Sequence, residues 1–491
     1  MTRLKSPTSD ATKSETRSAI FAVLVLGALL LAGCSVGPRY KGTTTKIQPF
    51  HSAPSIEARK APLPAPALDT WWEGFRDPEL TRLVQRAIDQ NLDLAAALTR
   101  VEQARAAAKG AGARLKPTGA LTAQSTSFRQ SLESPTGRFA GAFPSFDRNQ
   151  SYLDLGTAAT WEVDLFGGLK RGAEAAVDEA QAAEAEHLGV RVSIVAEAAD
   201  AYMQIRGAQN RLIYARDQIA TDEHLLQLVS QRKAAGIASD REQAQAEAVL
   251  AQARSTVPQL TIILEAQLNR LDVLMGAQPG TYAAELRAPA DIPPIPAITV
   301  LANPTELLRR RPDIIAAERR VAASSARVGQ ALAEYYPKIS LSGFLGNEAI
   351  SPGNLFRERG FQPSAVAGLR WRLFDFGRVD AEVRQAKGAN AETLLQFRSS
   401  VLRAAEDVEN SFTLLAQSEV RSDEILREIG ALQRVRERSQ EAYQAGAIGL
   451  TDVLDADRQL LVARDDLALT EETVARAAVG SFRALGGGWA P

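Results

Sequence analysis

The chain has one cysteine, Cys34, and only three histidines, His51, His187 and His224, scattered singly. One cysteine leaves disulfides no structural part. Isolated histidines do not group as metal ligands do. There is no phosphate-binding glycine loop followed by Lys-Ser/Thr, and no His-Glu-x-x-His. The expectation is therefore no enzyme, with no catalytic residue, no metal and no cofactor. The net charge is −1, which does not favour nucleic acid or an anionic surface. Aromatic residues make up 6%, a low share that suits helices packed through alanine. Proline is missing throughout Gly377 to Ala445, and glycine is nearly so.

What fills that stretch is alanine, glutamate, arginine and leucine. Leu394, Val401, Val408 and Leu415 recur every seven residues, and Ala405 and Phe412 lie four after two of them. That spacing is a coiled-coil seam. It predicts two long helices over 377–485, folded back near Gly446-Ala447-Ile448-Gly449. The first would run roughly 100 Å at about 1.5 Å per residue.

The stretch is duplicated. Trp161, Phe166-Gly167, Tyr202, Gly236, Ala246 and Ala253-Arg254 each lie 210 residues before a match at Trp371, Phe376-Gly377, Phe412, Gly446, Ala456 and Ala463-Arg464. Further upstream the offset is 220: Asn91-Leu92-Asp93-Leu94 corresponds to Arg311-Pro312-Asp313-Ile314, and Pro117 to Pro337. The change falls between Pro117 and Trp161, where residues 131–151 form a Gly/Pro/Ser-rich loop. A repeat of this kind fixes the architecture before any single motif is read.

Residues 1–33 read as a signal peptide. Arg3, Lys5, Lys13 and Arg17 precede an apolar run from Ile20 to Ala32, too short to span a bilayer as a helix. It ends Leu31-Ala32-Gly33-Cys34, which resembles a bacterial lipobox with Cys34 as the lipid-modified N-terminus. Ser35 follows rather than the aspartate that favours inner-membrane retention. Residues 34–70 are a Pro/Thr/Lys-rich tether. The first repeat covers 71–300: a helix from Asp77-Pro78-Glu79 to about Arg114, strands 117–128 and 152–165, and a helical hairpin 167–276. The second covers 301–491: a helix from Asn303-Pro304-Thr305-Glu306 to about Tyr335, strands 337–347 and 363–375, and a hairpin 377–485.

Each strand candidate is about the 9–11 residues of a tilted membrane strand, apolar on one face and polar on the other. Leu153, Leu155, Thr157, Ala159, Trp161, Val163 and Leu165 alternate with Asp154, Gly156, Ala158, Thr160, Glu162 and Asp164. A soluble sheet under a helix layer is the alternative. If the strands span lipid, four cannot close a barrel and no edge can stay open. Three chains would share twelve strands around a lumen, and two would make a plugged barrel.

Trp71-Trp72-Glu73-Gly74-Phe75-Arg76-Asp77-Pro78-Glu79-Leu80 resembles the start of the TolC-like outer-membrane factors. So does Leu307-Leu308-Arg309-Arg310-Arg311-Pro312-Asp313-Ile314-Ile315-Ala316-Ala317-Glu318, followed by Gly329 and Pro337-Lys338-Ile339-Ser340-Leu341. Val36-Gly37-Pro38 after Cys34 is similar to the lipoprotein branch. The resemblance implies a mainly α fold with a small β part. A long antiparallel coiled-coil helical barrel would join four membrane strands per chain, assembled as a homotrimer with a 12-strand β-barrel. It implies a passive exit duct in the outer membrane of a Gram-negative bacterium, extending into the periplasm. The implied partners are outer-membrane lipid, a periplasmic membrane-fusion adaptor and an inner-membrane resistance-nodulation-division transporter. Cys34 would carry N-acyl and S-diacylglycerol lipid. A lipid-tethered coiled-coil scaffold would explain the helices but not the strands.

The two helical turns are the candidate site. Gly236 and Gly446 suit left-handed helix ends, and Ser239 with Glu242 suits a capping box. By resemblance, Gly236, Ile237, Ser239, Gly446, Ile448 and Gly449 lie on adaptor-docking turns. Tyr443, Asp452 and Asp455 match residues of the periplasmic aperture, the two aspartates its acidic ring. Glu242 stands open between cap and aperture residue. Some relatives carry a basic residue where this chain has Ile448, so Arg241 of a neighbouring hairpin is the candidate donor to Tyr443.

Overall fold

The computed structural model describes residues 35–42, 48–299 and 309–490. The signal peptide, Cys34 and the expected helix start at 303–306 lie outside the described residues. Short helices of three to eight residues aside, the described helices and strands run in the order α1 (Pro78–Gln90), α2 (Leu92–Ala113), β1 (Thr118–Arg129), β2 (Asn149–Val163), α3 (Gly168–Ala234) and α4 (Asp240–Leu274). Then come α5 (Pro312–Ala333), β3 (Lys338–Ala349), β4 (Ser364–Arg370), α6 (Arg378–Gln444) and α7 (Leu450–Ala484). Each of α3 and α6 has 67 residues, and each of α4 and α7 has 35. The duplication is thus carried into equal element lengths. No described helix is long and apolar enough to cross a membrane.

The chain divides into two units. Among the described residues, one holds 35–42, Gln103–Ala180 and Arg319–Leu394, and the other holds the rest of them.

The first unit contains one antiparallel sheet in the order β1-β2-β3-β4. Its registers pair Leu121 with Thr157, Leu155 with Asn347, Trp161 with Leu341, and Ile339 with Leu369. Partners share a face of a pleated sheet. Leu121, Leu155, Trp161, Leu341, Leu345 and Leu369 therefore fall on one side. Gln124, Asp154, Glu162, Lys338, Glu348 and Arg370 fall on the other. Leu121, Leu345 and Leu369 are 77%, 60% and 68% exposed, so this chain alone buries little of that apolar face. On the polar face Gly156 and Gly346 are opposed, and a Cβ on either would lie 2.6 Å from the other's Cα and from Phe344 Cζ.

β4 ends at Arg370, short of the 363–375 expected. Its last partner is Lys338, the first residue of β3, and Pro337 before it has no N–H to continue the ladder. β2 stops at Val163 rather than 165, and begins at Asn149 because the longer β1 pairs to Arg129. The two strand-to-helix corners repeat a contact. Trp161 Nε1 donates to Leu115 O and Trp371 Nε1 to Tyr335 O, each at 3.0 Å. Phe166 stacks on Tyr336 with centroids 4.6 Å apart, whereas Phe376 at the second corner is fully exposed with φ 53°. The segment after Cys34 is held here. Val36 N donates to Phe166 O (3.1 Å), and Arg171 donates to Val36 O and Gly37 O (both 3.2 Å). Gly37, at φ +98°, passes 2.5 Å from Gly329 Cα when a Cβ is added, so only glycine fits.

The second unit is organised on Trp71, Phe75 and Phe482. The Trp71 and Phe482 rings stack at 5.2 Å among alanines of α3 and α7. Asp77 caps α1: its Oδ1 accepts from Glu79 N (2.8 Å) and Leu80 N (3.2 Å), and its Oδ2 accepts from Tyr202 OH (2.5 Å). The helix expected to run unbroken to Arg114 breaks at Asn91, whose backbone is extended (ψ 127°). Asn91 Oδ1 accepts from Leu94 N (2.9 Å) and starts α2, while its Nδ2 donates to Leu274 O (2.8 Å). The tether is docked rather than loose. Glu409 accepts from His51 N and from Ser52 N and Oγ, and Arg59 pairs with Glu419. Along α6, Val401, Val408, Phe412 and Leu415 are buried, as the heptad spacing requires, with Leu394 half-buried.

Candidate functional site: the helical turns

Both turns belong to the second unit and are built alike. Arg232 O accepts from Ile237 N (2.8 Å) and Lys233 O from Gly236 N (2.9 Å), with Gly236 at φ +74°. Ala442 O accepts from Ala447 N (2.9 Å) and Tyr443 O from Gly446 N (3.0 Å), with Gly446 at φ +75°. This left-handed glycine cap satisfies carbonyls that a helix end leaves orphaned. Ile237 is 65% exposed at the first turn.

The following helices start differently. Ser239 Oγ accepts from Glu242 N (3.3 Å), and Glu242 Oε2 accepts from Ser239 N (2.7 Å), a complete capping box. Those backbone and hydroxyl bonds hold the Glu242 carboxyl below its ordinary range. Gly449 has no side chain to complete a box, so Asp452 Oδ2 accepts from Gly449 N (3.2 Å) alone. Asp455 accepts from Arg458 (3.1 Å) and Gln459 (2.6 Å). Asp452 and Asp455 are both exposed, three positions apart on one face of α7.

Tyr443 is buried with Leu225, Val229, Ala246, Leu450, Val453 and Leu454, which ties the two turns together. Arg232 lies over its ring, with the guanidinium carbon 4.5 Å from the centroid. Arg232 Nη1 also donates to Tyr443 O (3.4 Å). The residue brought to Tyr443 within the chain is therefore Arg232, not Arg241, which sits exposed in the first turn of α4. Position decides this: Arg232 is in the last turn of α3 and its side chain reaches across, while Arg241 points out beside the Ser239 cap. The Tyr443 hydroxyl is buried without a hydrogen-bond partner in the chain, and burial pushes its pKa up. Ile448, where some relatives were expected to carry a basic residue, packs against this same apolar cluster.

A further group was not singled out from the sequence. Asp222 (2% exposed) and Asp457 (4%) are buried on α3 and α7. Arg436 Nε donates to Asp457 (2.6 Å), and Gln218 Nε2 donates to Asp222 Oδ1 (2.8 Å). Asp222 Oδ2 has no partner. Burial pushes Asp222 up to about 6, with Asp457 adding to it, and burial also raises Asp457. The spacing held the signal. Asp222 precedes Leu225 and Val229 by three and seven, and Asp457 lies three and four after Leu454 and Val453, so both occupy seam positions.

Residues 83–277 and 303–487 match the sequence model of the outer membrane efflux proteins. The chain belongs to the outer membrane efflux protein family. The two matched segments begin 220 residues apart and end 210 apart (83 to 303, 277 to 487), which are the offsets of the duplication. The pyoverdine export outer membrane protein OpmQ of Pseudomonas aeruginosa is 32% identical over 469 residues, covering 95% of this chain and 96% of that one. Outer membrane protein OprJ of the same organism is 31% identical over 479 residues, covering 95% of each. The solved structure of the outer-membrane channel OprN superposes with a TM-score of 0.86 at 33% identity, over 93% of this chain and 100% of that one. This family member is an efflux channel of the outer membrane, with a TolC-like, mainly helical fold and a small sheet.

Proposed function

We propose that the channel is a homotrimer and the passive exit duct of a tripartite pump, performing no catalysis. The observation that carries this reading is the four-stranded sheet, with Leu121, Leu155, Trp161, Leu341, Leu345 and Leu369 gathered on one face and β1 and β4 unpaired at its edges. Open edges do not survive in lipid, where each unsatisfied backbone group costs several kcal/mol. Copies of the chain must supply the missing partners. Three copies give twelve strands, enough for a water-filled lumen, where eight would be filled by side chains.

Cys34 carries the N-acyl and S-diacylglycerol lipid. The clamp of Arg171 on Val36 and Gly37 supports this, since it holds the chain near the strand-to-helix corner just after Cys34. A membrane-fusion adaptor docks on the turns at Gly236, Ile237 and Ser239 and at Gly446, Ile448 and Gly449, and links the duct to a resistance-nodulation-division transporter. Asp452 and Asp455, repeated by the threefold, line the periplasmic mouth. Tyr443 helps hold it shut by packing the two turns together under Arg232, with Arg241 or Glu242 of an adjacent hairpin completing the closed mouth.

Native mass spectrometry of the full-length protein in mild detergent tests the assembly. Three chains are expected, and a folded, membrane-inserted monomer would overturn the reading. Deleting the gene should raise intracellular accumulation of pump substrates, and the wild-type gene should restore efflux.

A further inference from the structure

The two repeats differ at the buried acid of α3. Shifted by the 210-residue offset, Asp222 corresponds to Leu432, Arg436 to Leu226 and Asp457 to Glu247. Leu432 packs with Ile425, Ile429 and Leu460 in the seam between α6 and α7. The fold thus builds one seam position from leucine in one repeat and from aspartate in the other. A buried carboxylate carries a desolvation cost that leucine avoids, so packing alone does not call for Asp222. Helix geometry relates it to the mouth. Asp222 stands ten residues, about 15 Å, along α3 from Arg232, which lies over Tyr443. Asp457 follows Asp455 by two positions, about 200° around α7, so the buried face that carries Asp457 is opposite the exposed face that carries Asp455.

The groups acting on Asp222 come from three helices. Gln218 of α3 donates to its Oδ1 (2.8 Å), Asp457 of α7 repels it, and Arg436 of α6 acts from its bond to Asp457 (2.6 Å). Arg464 of α7 acts on Asp457. The α4 charge at this level, Arg254, is paired with Glu223 instead (2.7 Å), and His224 is exposed. Asp222 Oδ2 has no partner. Burial, with the charge of Asp457, pushes the Asp222 carboxyl up to about 6. Gln218 also lines a cavity of about 200 Å³ with Arg211, Tyr214, Thr256 and Asp465, which gives water a route to the edge of the cluster.

We propose that Asp222 is a proton-operated latch on the periplasmic mouth, resting on the reading of the helical turns as that mouth. Protonated, Asp222 packs in the seam as Leu432 does in the other repeat, and α3 holds α7 in the closed position. When it releases its proton to water, a carboxylate with no guanidinium bonded to it is buried beside Asp457. Repulsion then moves α7, with Asp455 on its far face, away from α3. Acid keeps the mouth shut and rising pH frees it.

Single-channel recordings of full-length trimers in planar bilayers, at equal pH on both sides, test the latch. Open probability is read apart from conductance, which the mouth aspartates influence. Between pH 5 and 8 the wild-type open probability should rise on the order of tenfold. Asp222→Asn and Asp222→Leu should both stay at the acid level throughout. Asp457→Asn removes the repelling charge and should make the rise smaller and shift it to lower pH. His224→Gln should keep the full rise, although histidine is the residue type that changes charge near neutral pH. A wild-type open probability that ignores pH, or a rise that persists in Asp222→Asn and Asp222→Leu, overturns the latch. A rise lost in His224→Gln but kept in Asp222→Asn gives the titration to the histidine and also overturns it. If Tyr443→Phe with Arg232→Ala passes no current either, the mouth reading itself fails, and the latch with it.

Discussion

Asp222→Asn is expected to stabilise the region around the helical turns at neutral pH and to remove its dependence on acid. The cluster holds two buried carboxylates, Asp222 and Asp457; Arg436 bonds to Asp457 and Arg464 also acts on it, and neither guanidinium bonds to Asp222. Burial pushes Asp222 from 3.8 up to about 6. The folded state therefore keeps a proton that the unfolded chain has released. The stabilisation is full below the unfolded value and is lost as pH rises through the folded one. Two pKa units correspond to roughly 3 kcal/mol, which solvent screening trims to about 1–2 kcal/mol. Asparagine keeps an oxygen for Gln218 and carries no charge, and its amide can donate towards Asp457. Hydrogen exchange of peptides covering 215–230 and 450–465, corrected for intrinsic rates, reads the effect between pH 5 and 8. Wild-type protection should fall about tenfold over that range, and the variant should stay flat. Wild-type protection that does not change with pH, or a variant less protected than wild type at pH 8, refutes the reasoning.

Acyl label should enter the wild-type protein and not Cys34→Ser; label persisting in the variant would place the lipid elsewhere. Leu155→Arg and Leu369→Arg put charge on the apolar face and should each cost about 2–4 kcal/mol near the bilayer midplane, read as lost heat-resistant assembly, whereas Ser342→Arg on the polar face should be tolerated. Gly156 is no fair control, because any side chain there meets Gly346 and Phe344. Removing Asp452 and Asp455 together by alanine should weaken cation selectivity and divalent block; unchanged selectivity would reduce Asp452 to a helix cap.

The fold was legible because its signals are long and repeated. Period-two alternation from Leu153 to Val163 and heptads from Leu394 to Leu415 need no tertiary knowledge, and two offsets, 220 before the loop and 210 after it, tie the halves together. What escaped depended on neighbours far in sequence. Asn91 stops a helix because its amide also meets Leu274 O, and propensity alone does not see that. β4 ends where β3 begins, which is a property of the pair. At the turns, the glycine caps and the Ser239–Glu242 box are local and could be read directly. The Arg232–Tyr443 stacking spans 211 residues and could not. Asp222 and Asp457 were readable in principle, as charges at seam positions.

Current through the reconstituted protein tests the central claim most directly. Full-length trimers would be inserted into a planar lipid bilayer, wild type beside Tyr443→Phe with Arg232→Ala. A closed mouth at the turns predicts low resting conductance for wild type. The double variant should show larger, discrete, ohmic steps that still prefer cations, because the aspartates remain. Inserted trimers that pass no ions in either form would contradict the account of this chain as an efflux channel gated at its helical turns.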